Sequence, residues 1–175
     1  MSSSLPQVGF GFDVHRFSSD ESRPLVLAGV TIAGSPGLEG HSDADVITHA
    51  VIDALLGAAC LGDIGEHFSD TDAQWKGADS IDLLKRTMEM MNAEGWLVTN
   101  IDCTVVLEAP KIGPHRQLMV ARLHDVVNAP LNIKASRAEG LGALGRVEGV
   151  ACWAVANLHQ STDVVSDVDQ QAKEA

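Results

Sequence analysis

The sequence is short of positive charge: 12 lysines and arginines face 24 aspartates and glutamates, for a formal net charge of −12. Binding a nucleic-acid backbone relies on Lys and Arg neutralising phosphates, so nucleic acid is excluded as a partner. An anionic small molecule stays admissible where bound cations invert the local field. Cysteine is scarce too. Cys60, Cys103 and Cys152 are odd in number, far apart and set in apolar runs, which fits neither a disulfide framework nor a thiolate zinc site. They read as buried, reduced thiols acting as small hydrophobes. No run approaches the roughly 20 apolar residues that span a bilayer, so no membrane partner is expected. Residues 1–7 lack a basic segment followed by an apolar one, so the reading is no signal peptide and a cytoplasmic location. Walker, Rossmann and nucleophile-elbow motifs are missing, as is any internal repeat.

What is present is ordinary for a globular chain: 175 residues, 45% hydrophobic and 21% charged, enough for one core without staples. Residues 8–17 alternate as a strand, with Val8, Phe10, Phe12 and Val14 on one face. Residues 25–33 read as two short strands around Gly29. Asp45 to Cys60 carries helical spacing of Val46, Ile47, Ala50, Val51, Ala54, Leu55 and Ala58, with Ser42 or Asp43 able to cap it. Residues 62–79 are turn-rich and acidic. A second helix is expected over Ser80 to Glu94, ended by Gly95, then a strand over 97–108. A third helix opens near Pro114 and ends near Asn128, followed by a strand at 131–136; the run 149–159 fits strand or helix, its valines and the Gly-rich turn before it favouring strand. The expected class is a single α/β or α+β domain over residues 8–159, with tails at 1–7 and 160–175.

Asp13 and His15 stand two apart on the first strand and share a face. A carboxylate and an imidazole so placed suit zinc, although the pair also reads as a polar strand face. On the first long helix Asp45, His49 and Asp53 fall at i, i+4 and i+8, without a Lys or Arg among them. That row reads either as a solvated face or as an imidazole ligand with supporting carboxylates. Asp13, His15 and His49 together would leave a fourth zinc position open, the pattern of a catalytic site. Asp63, within GDIG, and Asp70 and Asp72 could accept hydrogen bonds from sugar hydroxyls or simply form turns. Lys111 sits on a proline-bracketed loop. The stretch 134–149 mixes Lys134, Ser136, Arg137, Glu139 and Arg146 with glycines, a candidate phosphate cradle whose Glu could carry Mg²⁺.

Five ordered blocks, GFDVH (11–15), HSDADVITHAVIDALLGAACLGDIGEHFSDTD (41–72), KGADS (76–80), EAPKIGPH (108–115) and KASRAEGLGALGRVEG (134–149), resemble the 2-C-methyl-D-erythritol 2,4-cyclodiphosphate synthase family of non-mevalonate isoprenoid synthesis. The resemblance implies a phosphorus–oxygen lyase of α+β class, with a mixed four-stranded sheet packed on helices. It implies a homotrimer with active sites between subunits. The implied substrate is 4-diphosphocytidyl-2-C-methyl-D-erythritol 2-phosphate, whose 2-phosphate attacks the β-phosphorus and releases CMP. By position, Asp13, His15 and His49 would hold Zn²⁺ and the substrate's β-phosphate. Glu139 would hold Mg²⁺ or Mn²⁺ with the diphosphate. His41 and Ser42 would take the erythritol phosphate end, with His41 assisting the transition state. Asp63, Ile64, Gly65, Phe68, Asp70 and Asp72 would meet substrate. Leu107 to Gly113, including Lys111 and Ile112, would line the cytidine pocket of a neighbouring subunit, with Ala135 and Ser136 completing it. Asp45 and Asp53 match positions that support the helix-borne ligand.

Three departures from the family pattern stand out. Ser136-Arg137-Ala138 replaces a run of threonines, putting a guanidinium where a hydroxyl would meet the diphosphate, and Arg137 is taken as catalytic. Ile112-Gly113 replaces a bulkier pair. Ala143 stands where an aromatic often borders a trimer-axis cavity able to take an isoprenoid phosphate, while Arg146 and Glu148 are kept. Two other readings compete: a zinc-dependent phosphohydrolase, and a non-catalytic trimer that binds isoprenoid phosphates.

Overall fold

The computed structural model describes residues 5–161. The expected tails fall largely on residues 1–4 and 162–175, outside the described residues. Gln7 and Gln160 belong to strands.

Six strands and five helices follow one another as β1 (Gln7–Arg16), β2 (Pro24–Leu27), β3 (Val30–Pro36), α1 (Val46–Ala59), α2 (Ile64–His67), α3 (Ser80–Ala93), β4 (Trp96–Val106), α4 (Arg116–Val127), β5 (Leu131–Ser136), α5 (Gly142–Gly145) and β6 (Gly149–Gln160). The main sheet is mixed, in the order β1-β6-β4-β5, and a separate two-stranded sheet pairs β2 with β3. Only β4 and β5 run parallel, and α4 makes the crossover that such a pair requires. The fold is a single α+β domain.

One face of the sheet is covered by helices, and α1 lies across β1 and β6. Gly9 and Gly11 make that approach possible. A Cβ on Gly9 would stand 1.9 Å from the Ala54 carbonyl oxygen, and one on Gly11 would stand 2.0 Å from that of Ala50. The helix backbone therefore rests directly on the strand, and little but alanine fits between them. Fully buried Ile47, Ile52, Leu55 and Leu56 fill the space around α1, with Leu84 and Met91 of α3 and Met119 of α4. Truncating one such leucine to alanine typically costs about 2–5 kcal/mol.

Alternation in β1 then sends Val8, Phe10, Phe12 and Val14 to the other face, where Val8 is 66% and Phe10 63% exposed. Phe12 leans on Trp153 of β6, ring centroids 5.2 Å apart, and Val155 and Leu97 extend this uncovered apolar surface.

The N-terminus of α1 corrects one expectation. Neither Ser42 nor Asp43 is the cap; Asp45 is, accepting from the Ile47 and Thr48 amides. Its carboxylate also accepts from the Ala28 amide at 2.8 Å, the Gly29 amide at 2.6 Å and the Thr48 hydroxyl at 2.7 Å. One fully buried carboxylate thus ties the β2–β3 turn to the start of α1. Burial pushes its pKa up, with Asp43's charge adding, while the Gly29 amide and the Thr48 donors oppose the shift. Of the thiols, Cys103 and Cys152 are buried as expected, but Cys60 is exposed. It ends α1 in the left-handed conformation, φ 57°, a position at the helix terminus where side chains face water.

Candidate metal centre and substrate pockets

Strand geometry puts Asp13 and His15 on the helix-covered face of β1, and α1, seated on the glycines, lowers His49 over them. Their ligand atoms all lie within 4.8 Å of one another, the one such His/Cys/Asp/Glu cluster among the described residues. Asp13 Oδ2 is the hub: His49 Nδ1 lies 3.0 Å away and His15 Nε2 3.2 Å away. Tetrahedral zinc with bonds near 2.0–2.1 Å separates its ligand atoms by about 3.3 Å, so the cluster accepts the ion with small adjustments. The donor set, one carboxylate oxygen and two imidazole nitrogens, also fits zinc chemistry.

Burial opposes ionisation of Asp13, but hydrogen bonds from His15 and His49, backed by their charge, hold its carboxyl far below the usual carboxylate range. Burial likewise opposes a charged His49, yet the Asp13 hydrogen bond and charge outweigh it and raise the imidazole above its ordinary value.

The groups that orient His49 differ from those expected. The Asp45 carboxylate is spent on backbone amides and the Thr48 hydroxyl, and that of Asp53 accepts from the Ile64 amide at 2.8 Å; neither carboxylate is hydrogen-bonded to the His49 imidazole. The far side of the imidazole, Nε2, meets the Ser80 hydroxyl at 2.8 Å and the Ser42 hydroxyl at 3.2 Å. Ser80 in turn donates its hydroxyl to Asp43, which also accepts the Ser80 amide at 2.9 Å. A carboxylate–hydroxyl–imidazole chain thus fixes the ring with Nδ1 toward the cluster, a role commonly filled by a direct carboxylate. The sequence signal was Asp43 together with Ser80 in the KGADS block, two segments 37 residues apart. A solvated row on α1 is also ruled out, because His49 is 8% exposed and Asp45 fully buried.

The cluster opens into a cavity of about 460 Å³ walled by Gly40, His41, Ser42, Ile64, Gly65, Phe68 and Asp70, with Trp75 and Leu83. His41 Nε2 donates to the Asp72 carbonyl at 3.2 Å, which leaves Nδ1 available to a ligand. Phe68 packs edge-on against Trp75 at 5.1 Å, and the Arg86 guanidinium lies over the Trp75 ring, 5.3 Å from its centroid. Trp75 is a wall that sequence reasoning did not pick out. Two expected contacts are not on the cavity wall: Asp63 caps α2 through the Glu66 amide, and Asp72 caps a 3₁₀ turn through the Gln74 amide.

A second pocket of about 610 Å³ is lined by Leu107, Glu108, Lys111, Ile112 and Gly113 from the loop after β4, by Ala135 and Ser136 at the end of β5, and by Arg137 just beyond it. This unites the residues expected around cytidine, with no lining residue in common with the metal-side cavity. Ile112 is 2% exposed, a floor rather than a rim. Glu139 is exposed beyond it, in the left-handed region at φ 52°. Arg137 is tied to Glu108, its Nε 2.8 Å and Nη2 2.6 Å from Oε2. Ala143 borders a shallow depression of about 150 Å³ with Val14, His15, Arg16 and Glu148. Arg146 pairs with Glu148 at 2.6 Å.

Sheet, helices and cluster together define an α+β protein built around a candidate site for a divalent metal. The YgbB family model matches residues 7–159. The chain belongs to that family. It is 55% identical over 159 residues to the 2-C-methyl-D-erythritol 2,4-cyclodiphosphate synthase of Bordetella avium (strain 197N), covering 87% of this chain and 94% of that protein. Identity to the enzyme of the same name from Pseudoalteromonas atlantica is 50%, over 89% and 96% of the two chains. Among solved structures, the bifunctional IspDF from Campylobacter jejuni superposes with TM-score 0.85 at 42% identity. That alignment covers 90% of this chain and 43% of the bifunctional one, so this chain spans less than half of that protein. A CDP-bound 2C-methyl-D-erythritol-2,4-cyclodiphosphate synthase gives TM-score 0.78 at 37% identity, over 87% and 99% of the chains. No helix among the described residues is long and apolar enough to cross a membrane.

Proposed function

We propose that this protein converts 4-diphosphocytidyl-2-C-methyl-D-erythritol 2-phosphate into 2-C-methyl-D-erythritol 2,4-cyclodiphosphate and CMP, as a phosphorus–oxygen lyase of non-mevalonate isoprenoid synthesis. The observation that carries this reading is the Asp13/His15/His49 cluster opening onto a cavity lined by His41, Ser42 and Asp70, in a chain of the YgbB family. In the reaction a new bond forms between the 2-phosphate oxygen and the β-phosphorus. The bond from that phosphorus to the oxygen bridging it to the α-phosphate breaks, and CMP leaves with that oxygen.

Phosphoryl transfer asks the protein for alignment and charge neutralisation more than for covalent help. Asp13, His15 and His49 would hold zinc, and Glu139, a lone exposed carboxylate, suits a Mg²⁺ or Mn²⁺ held mostly by phosphate oxygens. Such cations supply Lewis-acid stabilisation of the phosphoryl oxygens. His41, tethered through Nε2 to the Asp72 carbonyl, presents its other nitrogen to the erythritol phosphate, with the Ser42 hydroxyl beside it. The Phe68–Trp75 wall limits water at the reacting phosphorus. Lys111 and Arg137 offer positive charge to the nucleotide end from the second pocket.

A homotrimer with sites between subunits is part of the same reading. Two features support it: the metal-side cavity and the nucleotide-side pocket are lined by separate residues of one chain, and the outer sheet face leaves Val8, Phe10, Phe12 and Val14 uncovered. A contiguous apolar surface of that kind marks an interaction site.

Incubating the protein with the cytidine substrate, Zn²⁺ and Mg²⁺ tests the assignment. Equimolar CMP and cyclic diphosphate are expected. A linear phosphate product would point instead to a phosphohydrolase, and bound zinc without CMP release would leave a non-catalytic binding protein.

A further inference from the structure

Glu108 lies within the stretch 107–113 expected around cytidine, and it is where the loop after β5 converges. Its Oε2 receives Arg137 Nε at 2.8 Å and stands 2.6 Å from Nη2, and its Oε1 accepts the Gly140 amide at 3.2 Å. The Glu108 side chain is only 7% exposed while that of Arg137 is 64% exposed, so the guanidinium lies over the carboxylate as a cover. Arg137 and the Gly140 amide keep the Glu108 carboxyl below its usual range, and it stays ionised at neutral pH.

Arg137 and Gly140 thus grip one carboxylate from either side of the turn. Between the two gripped ends stands Glu139 at φ 52°, followed by Gly140 at φ 77°. A non-glycine residue adopts the left-handed region when its surroundings over-determine it. Here the surroundings are Glu108's hydrogen bonds on either side. With Nε and Nη2 of Arg137 turned to Glu108, the guanidinium keeps Nη1 for another acceptor, in a plane set by the ion pair.

We propose that Glu108 is a positioning residue for the nucleotide half of the site: it sets Arg137 on the wall of the pocket formed by 107–114 and 135–137, and holds Glu139 at the apex of the turn. This rests on the reading of that pocket as the cytidine diphosphate subsite. A loop already ordered before binding avoids the entropy of ordering on the ligand, and a guanidinium already oriented loses less freedom on meeting phosphate.

The test uses full-length, zinc-loaded protein carrying Glu108→Ala or Glu108→Gln. Two quantities are read: the calorimetric Kd for CDP with Mg²⁺, and amide hydrogen exchange of the 137–142 segment without ligand. Glu108→Ala is expected to weaken CDP by about 10–100-fold and to speed exchange over 137–142. Zinc content and exchange in α1 stay at wild-type values. Glu108→Gln keeps an acceptor for the Gly140 amide but loses the charge facing Arg137, so it should fall between and also serves if the alanine variant folds poorly. Adding Arg137→Ala to Glu108→Ala should cost less than the two single losses multiplied, because Glu108 acts partly through Arg137. CDP affinity and loop exchange within twofold of wild type in both Glu108 variants overturn the proposal. Wild-type protein that fails to bind CDP, while loop exchange still depends on Glu108, overturns the pocket assignment and the nucleotide role with it.

Discussion

The two halves of the candidate site are built in opposite ways. On the metal side, the three candidate ligands hang from a strand and a long helix in direct backbone contact, and His49 is held on both ring nitrogens. On the nucleotide side, the walls are a loop and the end of β5 with the turn that follows it, and the chief brace is an ion pair whose arginine is 64% exposed. Regular elements fix side chains to within the tolerance a metal demands, whereas loops tolerate substitution and leave room for a larger ligand. Of the departures from the family pattern, Arg137, Ile112 and Gly113 fall on the loop side, while Ala143 borders a depression shared with His15.

Removing a metal-side ligand should have the largest effect. His49→Ala is expected to reduce bound zinc to background and to abolish CMP release, measured by metal analysis and chromatography of the nucleotide product; normal turnover in metal-depleted variant protein would separate the cluster from the chemistry. Next comes the scaffold beneath it. Asp45→Ala deletes a cap and leaves several buried amides unpaired, so a loss of about 3 kcal/mol in denaturant unfolding is expected. Gly11→Ala must lift α1 off β1. It should cost about 1–3 kcal/mol and weaken zinc by about tenfold or more, with CDP binding at the loops less affected.

Protons sharpen the contrast further. Asp13's depressed pKa contributes stability to the metal-free protein above the ordinary carboxylate value of 3.8, lost as pH falls through the lower folded value. His49's raised pKa contributes stability that is full below 6.5 and lost as pH rises through the folded value. Metal-free protein should therefore be most stable between those limits. Zinc displaces the His49 proton, so its affinity should climb as pH rises from about 6 to about 8, which a competitive chelator titration reads directly. The smallest effect is expected on the loop side: Lys111→Ala should weaken CDP by about 3–10-fold with zinc binding unchanged.

This asymmetry also explains what could be read from the sequence. Strand alternation placed Asp13 and His15 together, and helical spacing found α1 with His49 on it. Five of the six strands and the three long helices were visible in periodicity and in punctuation by glycine and proline, while β6 read as strand or helix until its pairing was seen. The role of Asp45 was not, because its five donors come partly from the β2–β3 turn, distant in sequence. Nor was the Asp43–Ser80–His49 chain, which forms only when the start of α3 docks on the loop before α1. Gly9 and Gly11 read as neutral members of a strand until the helix lay on them. The grip of Glu108 on Arg137 joins residues 29 apart across two loops, where no periodicity operates.

The central claim is that Asp13, His15 and His49 form the metal centre facing the substrate cavity. Anomalous diffraction at the zinc edge from crystals grown with zinc and CDP tests it most directly. A strong peak bonded to Asp13 Oδ, His15 Nε2 and His49 Nδ1, with its fourth position open to the cavity or filled by a phosphate oxygen, is the expected result. Zinc bound elsewhere, with the three side chains still paired only to one another, would contradict the account.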